Sequence, residues 1–185
     1  MYVMKLIEKL FSVILQRRKK KYLNSLIAQG LKLGKNVQIV DTFFFDPSHC
    51  FLISIGDNTI ICPNVRLIAH DASTKMILGY TKIGLITIKE NCFIGDSTIV
   101  LPNVTIGPNS IIGSGSLVTK DVPPGSVAAG NPAKVICSAD EYIAKIKAIS
   151  NEKKVFGHDY YIDSLDESKR MEIISSVGQS IGFIV

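Results

Sequence analysis

Residues 88–123 read, in groups of six, IKENCF, IGDSTI, VLPNVT, IGPNSI, IGSGSL and VTKDVP. The first position of every hexad is aliphatic and the fifth is small: Ile88, Ile94, Val100, Ile106, Ile112 and Val118, then Cys92, Thr98, Val104, Ser110, Ser116 and Val122. A period of six fits neither an α-helix nor a flat sheet. It is typical of a parallel β-helix, in which three hexads make one triangular coil and coils stack about 4.8 Å apart. We therefore predict a mainly β chain wound as a parallel β-helix of hexapeptide repeats, with the aliphatic first positions inside.

The repeat extends upstream, but its frame is interrupted. Hexads also begin at Ile55, Ile61 and Leu67, and two more at Leu33 and Ile39. The 21 residues that separate Leu67 from Ile88 are not a multiple of six, so a loop of about residues 70–87 must leave the coil. Long loops in compact repeats are commonly functional, which makes the segment that begins at His70 a candidate site.

The two ends of the chain show helical spacing instead. In residues 1–15 the apolar residues recur as on one face of a helix, and the run RRKKK follows at 17–21. This N-terminal segment, 1–30, is interpreted either as a helix docked on the body or on a neighbouring subunit, or as a weak anchor on anionic lipid. The coil is expected over 31–137. A C-terminal helical tail follows over 138–185, with helices at 138–150 and from Leu165 to about Val177.

Charge and cysteine usage narrow the class of protein. The net charge is +5, but residues 1–21 alone carry +6, so the rest of the chain is close to neutral. The basic run has no interleaved aromatic residues and does not indicate nucleic-acid binding. Four cysteines without metal-site spacing, and the lack of a secretory pattern, predict a cytoplasmic protein, at most peripheral at the inner membrane face.

Three stretches together carry a family resemblance. They are IGDNTIICPNV at 55–65, HDAS at 70–73 and FIGDSTIVLPNVTIGPNSIIGSGSLVTKDVPPGSVAAGNPAKVI at 93–136. These resemble the hexapeptide-repeat sugar O-acetyltransferases, the group of the maltose and galactoside acetyltransferases, over roughly residues 31–137. The resemblance implies a left-handed coil, a homotrimer, acetyl-CoA as co-substrate and no metal.

The resemblance also assigns roles to individual residues. In that family a histidine at the start of the protruding loop is the catalytic base, and His70 matches it; Asp71 either orients its ring or lies in a turn. Imidazole suits this task because it can accept a hydroxyl proton near neutral pH. By motif match, the acetyl-CoA contacts are Ser114, Thr119, Lys120 and Lys134 along the pantetheine and phosphates, and Asp96 near the thiol.

The acceptor is expected to be a hydroxyl of a sugar or glycan precursor. Candidate contacts are Asp46 and His49 in DPSHC, and Asp71 and Tyr80 in the loop. The Asp46-Pro47 pair also fits an ordinary turn.

Two other functions remain open, and a third is disfavoured. An N-acetyltransferase on an amino sugar or aminoacyl acceptor would use the same residues. A non-enzymatic assembly module would use the coil alone. A zinc hydratase on the same coil needs three imidazoles, and the chain has only His49, His70 and His158, the last outside the coil.

Overall fold

The computed structural model describes residues 2–178 and 180–185, without the side chains of 2–9 and 12. The coil has three faces, numbered here in chain order. Face 1 contains Lys32–Leu33, Ile53–Ile55, Ile86–Ile88 and Val104–Ile106; face 2 contains Gln38–Ile39, Ile60–Ile61, Phe93–Ile94, Ile111–Ile112 and Ser126–Gly130; face 3 contains Phe43–Phe45, Val65–Leu67, Ile99–Val100 and Leu117–Val118. Neighbours on each face are parallel, and the strand Ala133–Ser138 closes face 2 in antiparallel pairing. The prediction of a left-handed parallel β-helix with helices at both ends is confirmed.

The core is the stack of first and fifth hexad positions. The six predicted aliphatic residues from Ile88 to Val118 are all at most 1% exposed, and each lies over its equivalent in the next coil. Buried hydroxyls at the fifth position donate to backbone carbonyls of the neighbouring coil, as from Thr98 to Gly113 and from Ser110 to Pro123. Small polar residues are therefore tolerated in this core because each finds a partner across the stack.

The corner between faces 1 and 2 is built by asparagines. Asn58, Asn91 and Asn109 adopt left-handed backbone angles there, with φ of 55–57°, which asparagine accepts more readily than β-branched residues. Their side-chain amides bond to one another from coil to coil, at 3.0–3.2 Å. The turn residues thus also stabilise the stacking of the coils.

Two insertions leave the coil at one corner, between faces 3 and 1. Regular coils take 18 residues, as from Val100 to Val118, whereas 22 separate Phe45 from Leu67 and 33 separate Leu67 from Val100. The four-residue excess lies between Phe45 and Ile53, and the 15-residue excess lies between Leu67 and Ile86. Because the two coils are adjacent, the insertions lie side by side.

The larger insertion is a hairpin. His70–Asp71 pairs antiparallel with Lys82–Ile83, and a short helix, Lys75–Leu78, forms its tip. The chain rejoins the coil at Ile86, so the predicted loop of 70–87 ends slightly earlier than expected. The smaller insertion contains a 3₁₀ turn at Cys50–Leu52.

The N-terminal helix runs from Tyr2 to Ala28, through the basic run and within the helical segment expected over 1–30. Arginine and lysine are strong helix formers, so the charged run does not end the helix. Its last turns pack on the first coil: Leu26 is fully buried, and the Tyr22 ring lies 5.6 Å from that of Phe43. In the part of the chain that the structure describes, no helix is long and apolar enough to cross a membrane.

Residues 140–185 form a second compact unit, distinct from 1–139. Its helices are Ala139–Asn151 and Glu167–Val177, one or two residues from the predicted bounds, and Asp166 caps the latter by accepting from the Lys169 amide. Strands Val155–Phe156 and Phe183–Ile184 pair in parallel, and 3₁₀ turns lie at His158–Tyr160 and Ile162–Ser164.

Candidate active site

The two insertions bring the side chains of His70 and Asp46 into contact. His70 Nδ1 lies 2.5 Å from Asp46 Oδ2, a short hydrogen bond between residues 24 apart in sequence. The His70 side chain keeps 34% of its surface exposed, while Asp46 is fully buried. One end of the imidazole is therefore anchored inside the protein and the other faces solvent.

Asp46 is held by backbone amides as well as by His70. Oδ2 also accepts from the Ala69 amide at 3.1 Å, and Oδ1 accepts from the Ser48 amide at 3.3 Å. A buried carboxylate is costly unless such donors satisfy it. Asp46 was expected to contact the acceptor, but the structure places it beneath His70, with its oxygens occupied by these donors.

The hydrogen bond decides where the proton of the His70 ring lies. A carboxylate only accepts, so Nδ1 must be the donor, and neutral His70 then carries a free lone pair on Nε2. This assignment follows from the hydrogen-bond network. An exposed, oriented imidazole nitrogen of this kind can take a proton from a bound hydroxyl or amine.

His49 lies beside this pair. Its ring centroid is 5.0 Å from that of His70, and its Nδ1 is 3.6 Å from Asp46 Oδ2, too far for a hydrogen bond. That Nδ1 is buried and has no hydrogen-bond partner, although 26% of the side chain reaches solvent. The structure therefore brings His49 to His70, as expected of two residues of one site.

Asp71 points away from the His70 ring. It forms an ion pair with Lys82 at 2.6 Å across the hairpin and accepts from the Ser73 amide at 2.8 Å. Hydrogen bonding from Lys82 holds the pKa of the Asp71 carboxyl well below its ordinary range. Of the two interpretations of Asp71, the turn fits the geometry and the ring-orienting role belongs to Asp46. Tyr80 lies at the hairpin tip and is largely exposed.

The residues expected to bind acetyl-CoA are not gathered at one place in the chain. Thr119 and Lys120 follow Val118 at the corner between faces 3 and 1, the same corner as His70. The other residues lie elsewhere: Asp96 and Ser114 at the corner between faces 2 and 3, and Lys134 on the closing strand of face 2, paired with Ala129. Asp96 and Ser114 are neighbours in adjacent coils, with the Gly115 amide donating to the Asp96 carbonyl at 2.7 Å.

Cys92 is a core residue. It is 2% exposed, and its Sγ lies 3.2 Å from the Gly107 carbonyl oxygen. Burial raises the pKa of its thiol, which opposes formation of the nucleophilic thiolate. The candidate chemistry therefore rests on His70.

Sequence reasoning missed the partnership of Asp46 and His70. The available signal was the spacing of the upstream hexads: Leu33 to Ile55 and Ile39 to Ile61 each span 22 residues, four more than a regular coil. Those four residues place DPSHC at the same corner as the later insertion. The direction of the Asp46 side chain, into the protein, depends on the amides of Ser48 and Ala69 and could not be deduced from spacing.

Comparisons with known proteins agree on one group. The family model described as bacterial transferase hexapeptide (six repeats) matches residues 86–120. The galactoside O-acetyltransferase of Escherichia coli K12 is 36% identical over 144 residues, which cover 76% of this chain and 63% of that protein. The chain spans 53–66% of the length of three of the curated relatives that it matches.

Solved structures give the same picture. A maltose O-acetyltransferase from Clostridium difficile 630 is 30% identical, with a TM-score of 0.50 over 61% of this chain and 72% of that chain. The polySia specific acetyltransferase NeuO is 29% identical, with a TM-score of 0.50 over 57% of this chain and 47% of that one.

Replacing Asp46 by Asn should release the His70 ring. An amide can present its NH₂ group to Nδ1, so the ring loses the acceptor that keeps the proton there. ¹⁵N spectra of the imidazole nitrogens should then show a shift of the His70 population toward the Nε2–H form. Asp71→Asn is the matched control and should leave the His70 signals unchanged; an equal shift in both variants would contradict the assignment.

Proposed function

Because this chain belongs to the hexapeptide-repeat acetyltransferases, we propose that it transfers an acetyl group from acetyl-CoA to a hydroxyl of a sugar or glycan precursor, with His70 as general base. The observation that carries the proposal is the short bond between His70 and buried Asp46 at the corner where both insertions leave the coil. It leaves Nε2 unprotonated and directed outward.

The reaction needs only one such group. His70 Nε2 removes the hydroxyl proton as the acceptor oxygen attacks the thioester carbonyl carbon, which gives a tetrahedral intermediate. The intermediate collapses, the carbon–sulfur bond breaks, and the departing CoA thiolate takes the proton back from Nε2. Asp46 stabilises the positive charge that the ring carries between these two transfers, as a buried carboxylate does in other acid–base pairs.

The acceptor would lie over the exposed edge of His70. His49 and the half-exposed Phe51 ring, 6.1 Å from it, offer a polar atom and an apolar plane beside the base. That combination suits a sugar ring, which has hydroxyls at its edge and C–H groups on its face. Tyr80 and the exposed part of Asp71 are further candidate contacts from the hairpin. An amino sugar would fit the same surface, so N-acetylation is the second candidate function.

The proposed acetyl-CoA contacts Asp96 and Ser114 lie at a different corner from Thr119 and Lys120. This separation favours a homotrimer. One chain cannot bring Ser114 and Asp96 to the corner that carries His70 and Lys120, whereas a neighbouring coil packed against that corner can present its own copies. The hairpin tip supports this arrangement, because Met76, Ile77 and Leu78 are strongly exposed, with Met76 at 99%. An apolar projection of this kind is characteristic of a surface that another chain covers.

Acetyl transfer should be detected by incubating the purified protein with acetyl-CoA and a panel of sugars and amino sugars, with release of free CoA thiol as the readout. His70→Ala should lower turnover by about 10²–10⁴-fold, the usual contribution of a general base, and leave acetyl-CoA affinity nearly unchanged. His158→Ala, at the exposed histidine of the C-terminal unit, is the control. Full turnover in His70→Ala would rule out His70 as the base, and the preferred acceptor would distinguish O- from N-transfer.

The phosphates of CoA are proposed to bind Lys120 and Lys134, both exposed. Either lysine changed to Ala should raise the KM for acetyl-CoA several-fold with little change in kcat, because a phosphate contact stabilises the ground state and the transition state alike. Lys89→Ala, an exposed lysine of the coil at the corner between faces 1 and 2, is the matched control. A KM that responds equally to all three substitutions would refute these two contacts.

The N-terminal helix is proposed to lie on the inner face of an anionic membrane. Its exposed apolar residues are Leu10, Phe11, Val13, Ile14 and Leu15, and the cations of 17–21 follow within two turns. The helix docks on the coil through Lys19, which donates to the Ile39 carbonyl, and through Tyr22 and Leu26, so most of the exposed apolar segment lies before the docked part. An apolar segment next to a cationic cluster is what interfacial helices carry.

Membrane contact should depend on the basic run. Arg17→Ala combined with Arg18→Ala should weaken binding to vesicles containing phosphatidylglycerol by about 30-fold, because each cation near the surface contributes about 1 kcal/mol to binding. Lys145→Ala combined with Lys147→Ala removes two exposed cations from the C-terminal unit and should leave sedimentation with vesicles unchanged. Equal binding to phosphatidylcholine vesicles, or no binding to either, would argue that the helix packs against another subunit instead.

A further inference from the structure

The geometry points to a second use of the same three side chains: Asp46, His49 and His70 form a binding site for a divalent transition-metal ion such as Zn²⁺, and occupation of this site switches off the base. The site itself stands on geometry alone. Its effect on turnover rests on the proposed function of His70.

The three donor atoms converge on one point. One ring nitrogen from each histidine and one Asp46 oxygen all lie within 4.8 Å of one another, and Asp46 Oδ2 lies 2.5 Å from His70 Nδ1 and 3.6 Å from His49 Nδ1. A tetrahedral zinc site with ligand bonds near 2.1 Å sets its donors about 3.4 Å apart. The observed separations fall on either side of that value, so small rotations of the two imidazole rings would complete the set.

The donor types suit such an ion. Two imidazole nitrogens and one carboxylate oxygen are a common ligand set for zinc and for other first-row metals, and they leave a coordination position for water. The two histidine side chains are each about one quarter to one third exposed, so the site borders solvent, although His49 Nδ1 itself is buried. The carboxylate is already fixed by the Ala69 and Ser48 amides, which is how supporting residues orient a metal ligand.

The hydrogen bond between Asp46 and His70 does not explain the position of His49. Its Nδ1 is buried, lies 3.6 Å from Asp46 Oδ2, and has no hydrogen-bond partner. A buried polar atom without a partner destabilises the folded state, and a bound ion is one of the ways in which proteins satisfy such an atom. Coordination would satisfy this nitrogen without disturbing the backbone.

Metal binding and base catalysis exclude each other at His70. The base form keeps its proton on Nδ1 and its lone pair on Nε2. An imidazole that gives its Nδ1 lone pair to a metal holds its single proton on Nε2, where it can no longer accept one from a hydroxyl. The ring keeps one proton throughout, so no further reactant is needed.

The binding test uses Co²⁺ and Zn²⁺ on the chelator-treated, full-length protein. Co²⁺ should bind once per chain and give the visible absorption of a four-coordinate nitrogen and oxygen site, without the near-ultraviolet charge-transfer band of a thiolate ligand. That band would assign the metal to a cysteine and overturn the proposal. Zn²⁺ affinity, followed by displacement of Co²⁺, should fall at least about tenfold in His49→Ala, since loss of an outer-shell partner alone costs about 10–100-fold.

His158→Ala is the matched control for loss of a histidine and should bind as the unmodified protein does. His49→Ala is chosen because truncation of the buried Asp46 side chain would leave the Ser48 and Ala69 amides without their acceptor. Equal metal affinity in His49→Ala and the unmodified protein would refute the site, as would the lack of stoichiometric binding.

A turnover assay distinguishes failure of the metal site from failure of the proposed role of His70 as the base. With an acceptor found by the screen, Zn²⁺ should inhibit turnover over the concentration range in which it displaces Co²⁺, and chelation should restore it. Binding without inhibition would keep the metal site and remove His70 as the base; inhibition at unrelated concentrations would refute the switch.

Discussion

The parallel stacking of coils is the constraint on which every other feature of this protein depends. Each residue in a strand must lie over an equivalent residue one coil away, because ladder hydrogen bonds and buried side chains both repeat at that spacing. An insertion inside a face would shift every later side chain out of the core. Extra residues are therefore confined to corners, and both insertions of this chain use one corner, between faces 3 and 1.

That confinement creates the candidate site. Asp46 lies in the smaller insertion and His70 in the larger one. A shift of either insertion to another corner would separate the two residues by the width of the coil. The cost of burying Asp46 is offset by its surroundings, since two backbone amides and the His70 ring all donate to it. The rigid coil thus holds a charged group inside the protein and directs one imidazole nitrogen outward.

If acetyl-CoA binds as proposed, the distribution of the remaining candidate residues gives one chain only part of the catalytic surface. Side chains that the motifs assign to acetyl-CoA lie at two corners of the coil and, for Lys134, on the closing strand of face 2. The apolar hairpin tip is exposed without a partner in its own chain among the described residues. A third exposed region, formed by the described apolar side chains between Leu10 and Leu15 of the N-terminal helix, lies before the turns that dock on the coil. Each of these surfaces is a place where a neighbouring subunit, a ligand or a lipid surface can complete what the single chain lacks.

The sequence by itself determined the coil, its core positions and the interruption after Leu67, because a period of six is local information that every hexad repeats. The choice of His70 as the base came from the family resemblance and from its place at that interruption, and it stays a prediction. The sequence also placed the C-terminal helices to within one or two residues, and the N-terminal helix from Tyr2 to Ala28 lies within the helical segment expected over 1–30. What it could not supply was the pairing of Asp46 with His70, the separation of Asp71 from that ring, or the approach of His49. These depend on which corner each insertion leaves and on where a buried side chain finds its donors. Only the tertiary structure decides that, because contacts between residues 24 apart follow from the winding of the chain and not from its local pattern.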